Sequence, residues 1–369
     1  MKILVTGGAG FIGSFLVDKL ISDGHSVRIF DNLEPQVHQN KIPDYLNKEA
    51  EFIKADVMDY DALAKAIDDV EVIFHEAAMV GVGQSMYQIR RYVNVNTLGT
   101  ANLLDILVNK NHGVKKLIVA SSMSSYGEGL YICENCGEIE PPLRTEEQFE
   151  RKEWELKCSC GKSLKPIPTP ESKFQDCNSI YAYTKKYQED MVMNIGKTYG
   201  IPVTALRYFN VFGPRQSLSN PYTGVIAIFM SRLMNNNQPL IFEDGNQTRD
   251  FISVHDIVKA NIMSMKQRSA DYERFNIGTG RATSIKEIAL VLGKLLNKKI
   301  QPDITNRFRK GDVRHCIGDI SKIKNKLGFV PDVSLEEGMK ELIEWSSNQE
   351  SVDKVEGATR ELEEKGLLK

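Results

Sequence analysis

A tyrosine and a lysine with a spacing suited to acid–base chemistry stand in the run SIYAYTKK. Tyr181 and Lys185 are four residues apart, so on a helix they share one face. A free phenol is a poor base because its pKa is about 10, but a neighbouring ammonium stabilises the phenolate and lowers that pKa. An isolated pair of this kind can also be a surface tyrosine and a solvated lysine. Ser121 and Ser122 favour catalysis, because they end the strand-like run KKLIVASS, from which a hydroxyl can reach the same reacting oxygen.

Glycines near the amino terminus have a spacing suited to a dinucleotide. The run TGGAGFIG places Gly7, Gly10 and Gly13 three residues apart, after a strand-like run and at the start of an amphipathic helical pattern. Glycine lets the backbone turn sharply and approach a pyrophosphate, which the N–H groups and dipole of a helix N-terminus attract. A lone glycine triplet is a weak signal, but this context predicts a dinucleotide-binding turn.

Two acidic residues suit the adenosine half of such a cofactor. Asp31 ends the second strand-like run, 18 residues after Gly13. A carboxylate there can accept hydrogen bonds from a ribose and would repel the 2′-phosphate of NADP, so it favours NAD. The alternative is an aspartate that starts a turn before Asn32. Asp56 can hold an adenine amino group, or it can simply cap a helix.

Two cysteine pairs separated by 21 residues predict a metal site. Cys133 and Cys136 form a Cys-x-x-Cys-Gly half, whereas Cys158 and Cys160 are one residue closer together than that pattern requires. The arrangement otherwise matches a four-cysteine zinc ribbon, with free thiols or a redox pair as alternatives. Four thiolates leave no open position for water, so a zinc ion here would be structural.

Alternating strand-like runs and helical patterns must position these residues. In the first helical pattern, apolar residues between 12 and 21 share one face, and Gly24 is placed to end the helix. This alternation predicts an α/β fold, a Rossmann-type doubly wound parallel sheet with helices on both faces. The strand-like runs are KILVTG, 26–30, 51–56, 70–77, 115–122 and 203–209.

The pattern also divides the chain into four parts. The predicted parts are an NAD-binding Rossmann domain (1–127 and 176–209), a zinc-ribbon-like insert (128–175), a mainly substrate-binding region with some segments returning to the Rossmann domain (210–349) and a charged tail (350–369). The insert is rich in Glu, Lys, Pro and Cys. We expect the tail to be a solvated helix without a functional role.

Bulk composition excludes several classes of partner. The chain has 369 residues, of which 41% are hydrophobic and 26% charged, and its net charge of −2 gives no footprint for nucleic acid or an anionic membrane. No apolar run approaches the roughly 18 residues of a membrane-spanning helix. Because the amino terminus runs directly into the first strand and cysteines cluster without a disulfide pattern, we expect a cytoplasmic protein.

The chain resembles the extended short-chain dehydrogenase/reductases, in the branch of nucleotide-sugar epimerases and dehydratases, over nearly all of its length outside the insert. So many motifs in the same order make the resemblance highly specific. The matching motifs are TGGAGFIG, Asp31-Asn32, Asp56-Val57, HEAA (75–78), NVNTLGT (94–100), SSMSSYG (121–127), Tyr181-x-x-x-Lys185, RYFNVFGPR (207–215), QTRDFISVHD (247–256) and RKGDVR (309–314).

The resemblance implies a role for each matching residue. Tyr181 would be the catalytic base, Lys185 would tune it and hold the nicotinamide ribose, and Ser122 would bind the sugar oxygen. Asn210, Arg249 and Arg309 would grip the diphosphate, since guanidinium groups pair well with phosphate oxygens. A homodimer and a nucleoside-diphosphate sugar substrate are also implied. The NAD-binding residues would be Gly7, Gly10, Phe11, Ile12, Gly13, Asp31, Asn32, Asp56, Val57, Ala77 and Asn96, with Tyr181 and Lys185.

The resemblance also excludes two activities of the family, dehydration and decarboxylation. Its 4,6-dehydratases carry an Asp-Glu pair where this chain has Met123 and Ser124, and its decarboxylases carry a Glu at the position of Ser124. Neither Met nor Ser can supply the acid and base that eliminate water. Epimerisation at C4 through a transient 4-keto sugar therefore remains, and the cysteine-bearing insert resembles that of the dTDP-L-rhamnose 4-epimerase subgroup.

Several alternatives stay open at the level of the sequence. A 4-keto nucleotide-sugar reductase or dehydrogenase would use the same residues but consume cofactor, and a non-catalytic NAD-binding zinc-ribbon adaptor would not turn over. Cys316 lies four residues after Asp312, where the family resemblance implies a position near the sugar pocket; alternatively, it merely packs in the core. Cys177 is expected to be a packing residue.

Overall fold

The computed structural model describes residues 1–39 and 41–369. In chain order, the strands are β1 (Lys2–Thr6), β2 (Ser26–Asp31), β3 (Glu51–Lys54), β4 (Val72–His75), β5 (Lys116–Ser122), β6 (Leu130–Cys133), β7 (Gly137–Ile139), β8 (Lys165–Ile167), β9 (Val203–Tyr208), β10 (Asn210–Phe212), β11 (Leu240–Ile241), β12 (Thr248–Arg249), β13 (Phe251–Ser253), β14 (Glu273–Ile277), β15 (Thr283–Ser284), β16 (Asp303–Ile304) and β17 (His315–Cys316).

Helices connect most of these strands. They are α1 (Phe11–Ser22), α2 (Pro35–His38), α3 (Tyr60–Ile67), α4 (Val82–Ser85), α5 (Ile89–Tyr92), α6 (Gly99–Asn109), α7 (Glu146–Glu150), α8 (Ile180–Tyr199), α9 (Val225–Met234), α10 (Val254–Lys266), α11 (Ile285–Leu295), α12 (Ser321–Leu327), α13 (Leu335–Ser346) and α14 (Val355–Glu364). A π-helical turn (Val93–Leu98) joins α5 to α6. None of the helices in the described ranges is long and apolar enough to cross a membrane.

The main sheet confirms the predicted fold class. Its strands are parallel and lie in the order β3–β2–β1–β4–β5–β9–β14. Alternate side chains of each strand enter cores on opposite faces of the sheet, as Ile3 and Val5 do on one face and Leu4 on the other. Helices α1, α10 and α12 cover the first face, and α3, α6 and α8 cover the second. Burial on both faces explains why the predicted strands read as nearly continuous apolar runs.

Local signals set the ends of the two helices that matter most for the site. Helix α1 ends at Ser22, and Gly24 adopts a left-handed conformation with φ 81°, as predicted. Helix α8 starts after Ser179, whose side chain accepts a 3.2 Å hydrogen bond from the Ala182 N–H, and it ends at the left-handed Gly200. The first turns of both helices lie at the same edge of the sheet, since Phe11 and Tyr181 both line the cleft described below.

The region 210–349 builds a second core and also returns to the sheet. Helices α9, α11 and α13 pack around an apolar cluster of their own. Strand β14 pairs with β9 at the edge of the main sheet, and α10 packs on α1. This region thus forms one wall of the cleft described below while remaining tied to the sheet.

The insert has a small core, and the tail is docked. Strands β7, β6 and β8 form an antiparallel sheet over a cluster that includes Tyr131, Leu156 and Leu164.

The tail forms the helix α14, but the expectation that this helix is merely solvated is wrong. Leu362 is buried against α4, and Leu368 is buried as well.

Candidate active site

A large cleft opens at the carboxyl ends of the parallel strands. Residues that follow β1, β2, β3, β4, β5 and β9 line it, which is where ligands bind in doubly wound sheets. The cleft brings together most of the predicted site residues. Those in its wall are Gly7, Gly10, Phe11, Ile12, Gly13, Asp31, Asn32, Asp56, Val57, Ala77, Ser122, Tyr181, Lys185 and Asn210.

The glycine turn leaves no room for side chains. Gly7 has φ 69°, and a Cβ on it would lie 2.8 Å from the backbone of Ala77. A Cβ on Gly13 would lie 2.2 Å from the carbonyl oxygen of Gly7. The turn can therefore close only with glycine at both positions, and it leads directly into the first turn of α1. A backbone cradle at a helix N-terminus fits the pyrophosphate of a dinucleotide.

The two acidic residues are held by hydrogen bonds from the backbone and from the side chain of Asn32. One carboxylate oxygen of Asp31 accepts a hydrogen bond from the N–H of Ala9 at 3.0 Å, and the other accepts from Leu33 at 2.8 Å. Burial raises the pKa of Asp31, and these two hydrogen bonds oppose the rise. Asp56 accepts a 2.8 Å hydrogen bond from the side chain of Asn32. The Asp31 carboxylate thus fixes the glycine turn and also faces the cleft, where it can bind a ribose.

Asn96 does not line the cleft. It is fully buried, and its side chain makes hydrogen bonds with both backbone polar groups of Met79 and with the hydroxyl of Thr184. Because Met79 lines the cleft and Thr184 lies on α8, Asn96 joins the wall to that helix. Contact between Asn96 and a cofactor stays a prediction.

The three predicted catalytic residues face the same part of the cleft. Ser122 ends β5, while Tyr181 and Lys185 lie one turn apart on α8. The ammonium of Lys185 donates hydrogen bonds to the carbonyl oxygen of Ala120 at 2.8 Å and to the side chain of Gln188 at 3.0 Å. A hydroxyl, a phenol and an oriented ammonium are thereby gathered beside the glycine turn.

Burial controls the charge of the tyrosine and the lysine. It raises the pKa of Tyr181 to about 12, and the Ser122 hydroxyl opposes the rise. Burial also lowers the pKa of Lys185 to about 8, against the influence of the nearby Glu76 charge. A phenol of this kind becomes a base at neutral pH only when positive charge is placed next to it.

Glu76 is a cleft residue that our sequence reasoning did not single out. It follows the buried strand β4, and burial raises its pKa to about 7, while a hydrogen bond from Tyr208 and the Lys185 charge oppose the rise. The available signal was a carboxylate directly after the fully buried strand β4, within the motif HEAA. Its coupling to Lys185 could not be read from that motif.

The turn after β5 carries no carboxylate. Met123 and Ser124 both line the cleft, and the hydroxyl of Ser124 donates a 2.9 Å hydrogen bond to that of Ser122. An acid–base pair for eliminating water is therefore missing at the two positions where the family's dehydratases carry it.

Asn210 and two arginines mark the predicted diphosphate end. The side-chain oxygen of Asn210 is buried and has no hydrogen-bond partner among the residues that the structure describes, as expected for a group awaiting a ligand. Arg249 and Arg309 do not line the cleft itself, but both donate to the carboxylate of Asp312, at 3.2 Å and 2.9 Å. Asp312 therefore holds the two guanidinium groups together.

Cys316 lies behind the cleft wall. It is 1% exposed and packs in a cluster with Tyr126, Phe209 and Met123, of which Phe209 and Met123 line the cleft. Burial raises the pKa of its thiol to about 12. Its position favours the packing interpretation, with any effect on the sugar pocket transmitted through its two neighbours.

The insert gathers the four predicted metal ligands. The sulfur atoms of Cys133, Cys136, Cys158 and Cys160 all lie within 4.8 Å of one another, and two of these residues are buried and two exposed. The Cys133 and Cys160 sulfurs are 3.5 Å apart without a disulfide. Tetrahedral zinc with bonds of about 2.3 Å separates its sulfur ligands by about 3.8 Å, so this cluster fits a zinc ion. The short Cys-x-Cys spacing does not prevent that arrangement.

Comparison with known proteins gives matches over almost the whole chain. Residues 3–152 match the NAD dependent epimerase/dehydratase family, and residues 161–342 match a family described as GDP-mannose 4,6 dehydratase. The dTDP-L-rhamnose 4-epimerase of Burkholderia thailandensis is 36% identical over 352 residues, which cover 94% of this chain and 95% of that protein.

Solved structures of similar proteins share the fold. The UDP-glucose 4-epimerase of Thermotoga maritima, solved with UDP-glucose, is 35% identical with a TM-score of 0.79, over 94% of this chain and 99% of that one. The UDP-glucuronic acid 4-epimerase of Bacillus cereus, solved with UDP-glucuronic acid and NAD, is 27% identical with a TM-score of 0.75, again over 94% and 99%.

Proposed function

This chain belongs to the NAD-dependent epimerase/dehydratase family, and on that premise we propose that it is an NAD-dependent nucleotide-sugar 4-epimerase. One observation carries the proposal: Ser122, Tyr181 and Lys185 line one cleft beside the glycine turn, next to Met123 and Ser124. The first three can move a proton at a sugar hydroxyl, whereas the last two cannot eliminate water. An isomerase is the activity that both facts support.

The cleft has the features needed to hold NAD. The glycine turn would hold the pyrophosphate, Asp31 would bind the adenosine ribose, and Asp56 with Val57 would contact the adenine; all of these residues line the cleft. When bound, NAD supplies the hydride acceptor and donor for C4, together with a positive charge near the phenol. The carboxylate of Asp31 disfavours the extra phosphate of NADP.

The protein's own residues move the proton. Tyr181 accepts the proton of the sugar O4 while Ser122 hydrogen-bonds the same oxygen and later the 4-keto oxygen. The Lys185 ammonium stabilises the phenolate that this role requires. Inversion follows when the 4-keto sugar turns and presents its other face before Tyr181 returns the proton to O4.

For the substrate, we propose dTDP-L-rhamnose. The proposal rests on the similar Burkholderia enzyme and on the resemblance of the insert. Asn210, Arg249 and Arg309 would bind the diphosphate. Incubation with a panel of dTDP-, UDP- and GDP-sugars, with products identified by NMR, tests both the nucleotide and the sugar. Turnover restricted to sugars on another nucleotide would refute this assignment while leaving the epimerase activity standing.

The insert is proposed to bind one structural zinc ion through Cys133, Cys136, Cys158 and Cys160. Four thiolates would fill all the coordination positions of a tetrahedral zinc ion and leave none for a substrate. The ion would therefore stabilise the fold of the insert. We also propose a cytoplasmic location, where thiols stay reduced. Metal analysis of protein purified without chelator tests the zinc site.

A homodimer is also proposed. The face formed by α8 and the neighbouring π-helical turn exposes large apolar side chains, among them Val93, Leu98, Tyr183 and Tyr187, each at least 40% exposed. A contiguous apolar patch on a soluble enzyme commonly marks a protein interface. Light scattering that gives the mass of one chain at micromolar concentration would argue against it.

A reductase of a 4-keto nucleotide sugar is the second candidate, because the same three residues serve it. The two functions differ in cofactor balance. An epimerase leaves the nicotinamide absorbance unchanged over many turnovers, whereas a reductase consumes one reduced cofactor for each product.

A further inference from the structure

The carboxyl-terminal segment, residues 350–369, contacts residues at the edge of the cleft. Helix α14 reaches both walls. The carboxylate of Glu361 accepts a 2.5 Å hydrogen bond from the phenol of Tyr222, which in turn accepts one from Tyr87 at 2.7 Å. Leu362 packs against Gly83 of α4, where a Cβ would lie 3.3 Å from its methyl group. Since Tyr222 and the start of α4 line the cleft, the helix fixes part of its rim.

The last three residues pair with the segment that carries Arg309. The Phe308 N–H donates to the Lys369 carbonyl at 2.9 Å, the Lys369 N–H donates back at 3.0 Å, and the Lys310 N–H donates to the Leu367 carbonyl at 3.0 Å. Arg309 and Leu368 thereby face each other in an antiparallel bridge. The buried Leu368 side chain, 4% exposed, anchors that pairing.

The insert holds the same segment from another side. The ring of Phe308 stacks on that of Phe149, with centroids 4.8 Å apart, and the Lys369 ammonium pairs with Glu146 on the same short helix. Arg307 pairs with Glu363 of α14. The backbone on either side of Arg309 is thus fixed by the tail and the insert together.

The Arg309 side chain itself is left available for a ligand. Its Nε and Nη2 atoms donate to Asp312, while Nη1 has no hydrogen-bond partner among the residues that the structure describes. The side chain is 44% exposed. A guanidinium with one edge fixed and one edge free is prepared to bind an anionic oxygen.

We propose that the carboxyl-terminal segment is a positioning element of the substrate site: through its pairing with residues 308–310 it orients Arg309 toward the diphosphate, and through Glu361 it fixes the Tyr222 side of the cleft mouth. This inference rests on the proposed function, in which Arg309 binds the diphosphate. Among the residues that the structure describes, no hydrogen bond or ion pair joins the segment to Ser122, Tyr181 or Lys185. Its loss should therefore weaken substrate binding much more than it slows the chemical step.

The test removes residues 367–369, which leaves α14 in place. We expect KM for the sugar nucleotide to rise on the order of 10-fold or more, the effect of losing one oriented contact to a charged group, with kcat reduced much less. The dissociation constant of the free nucleoside diphosphate, measured by calorimetry, should rise by a similar factor. The ligand is dTDP or UDP, whichever the wild-type protein binds more tightly. Affinity for NAD should not change.

Matched variants keep the test independent of folding. If the truncated chain does not fold, Leu368→Ala takes its place in the test. This variant should also raise KM for the sugar nucleotide, but by a smaller factor. Glu361→Gln should raise KM, whereas Glu364→Gln, an exposed position on the same helix, should not. In an Arg309→Ala background, the truncation should add little, because both changes remove the same contact.

Two outcomes separate this inference from the proposed function. A folded, NAD-binding truncation with wild-type KM and wild-type nucleoside diphosphate affinity would overturn the positioning role. Full additivity with Arg309→Ala would also overturn it. If wild type turned over no sugar nucleotide, the proposed function would fail, and the calorimetric comparison would still decide whether the segment positions Arg309.

Discussion

The phenol of Tyr208 donates a 2.9 Å hydrogen bond to the carboxylate of Glu76 at the floor of the cleft. Asn261 donates to the same phenol at 2.7 Å, so the chain of hydrogen bonds runs from the core to the cleft. Burial raises the pKa of Glu76 to about 7, and the Glu76 charge in turn opposes the fall that burial causes in the pKa of Lys185. The carboxylate therefore helps to keep Lys185 protonated.

Replacing that carboxylate should shift the pH dependence of activity. In Glu76→Gln the charge that raises the pKa of Lys185 is gone, so this pKa falls below about 8. Lys185 then loses its proton at a lower pH, and the alkaline limb of the kcat/KM profile moves toward neutrality by about one pH unit. Glu49→Gln, on an exposed loop, is the control. An alkaline limb that stays in place would show that Glu76 does not act on Lys185.

Removal of the Tyr181 hydroxyl should abolish proton transfer without unfolding the protein. Tyr181→Phe loses one hydroxyl, and turnover should fall on the order of 10²–10⁴-fold, the range for a positioned acid–base group. NAD binding should persist, because the glycine turn is untouched. Tyr199→Phe, at the exposed end of the same helix, is the matched control. Near wild-type turnover of Tyr181→Phe would rule out the tyrosine as the base.

Zinc content should depend on the cysteine cluster. Purified protein should contain about one zinc ion per chain, and Cys133→Ser should lower this content and loosen the insert. Because the insert also holds Phe308 beside Arg309, KM for the sugar nucleotide should rise in this variant, while NAD affinity stays constant. Cys177→Ser, outside the cluster, is the control for loss of a buried thiol. Metal-free wild-type protein with an ordered insert would contradict the zinc assignment.

A bulky side chain at Cys316 should act through its neighbours. Cys316→Tyr forces extra volume into a site that is 1% exposed, which typically costs about 1–3 kcal/mol of stability. Phe209 and Met123 should then be displaced toward the cleft, so kcat/KM should fall for all accepted sugar nucleotides by similar factors. Thermal unfolding and kinetics on sugars of different size check this. A loss confined to the bulkiest sugar would instead show that Cys316 gates the pocket.

Much of the fold was predictable because its signals are local. The glycine turn, the strand-like runs and the cap at Gly24 each depend on a few neighbouring residues. The Tyr181–Lys185 pair was predictable because helical periodicity alone places both side chains on one face. These features do not depend on which distant segments meet.

The rest depends on tertiary contacts that no local pattern encodes. Glu76 acquires its raised pKa only through burial beside Tyr208 and Lys185. The tail looked solvated because its charged residues outnumber its apolar ones, yet single buried residues such as Leu362 and Leu368 dock it. Which residues approach Arg309 is decided by the insert and the tail, segments far from it in the chain.

The proposed mechanism requires that a hydride leaves C4 and returns to C4 within one active site. The most direct measurement is NMR of dTDP-L-rhamnose incubated in D₂O with the NAD-loaded enzyme, followed by the reverse reaction from the C4 epimer. Epimerisation through a transient 4-keto sugar should give the same equilibrium mixture from both directions, with hydrogen rather than deuterium retained at C4 and no net change in nicotinamide absorbance. Deuterium at C4, or consumption of one cofactor for each product, would contradict it.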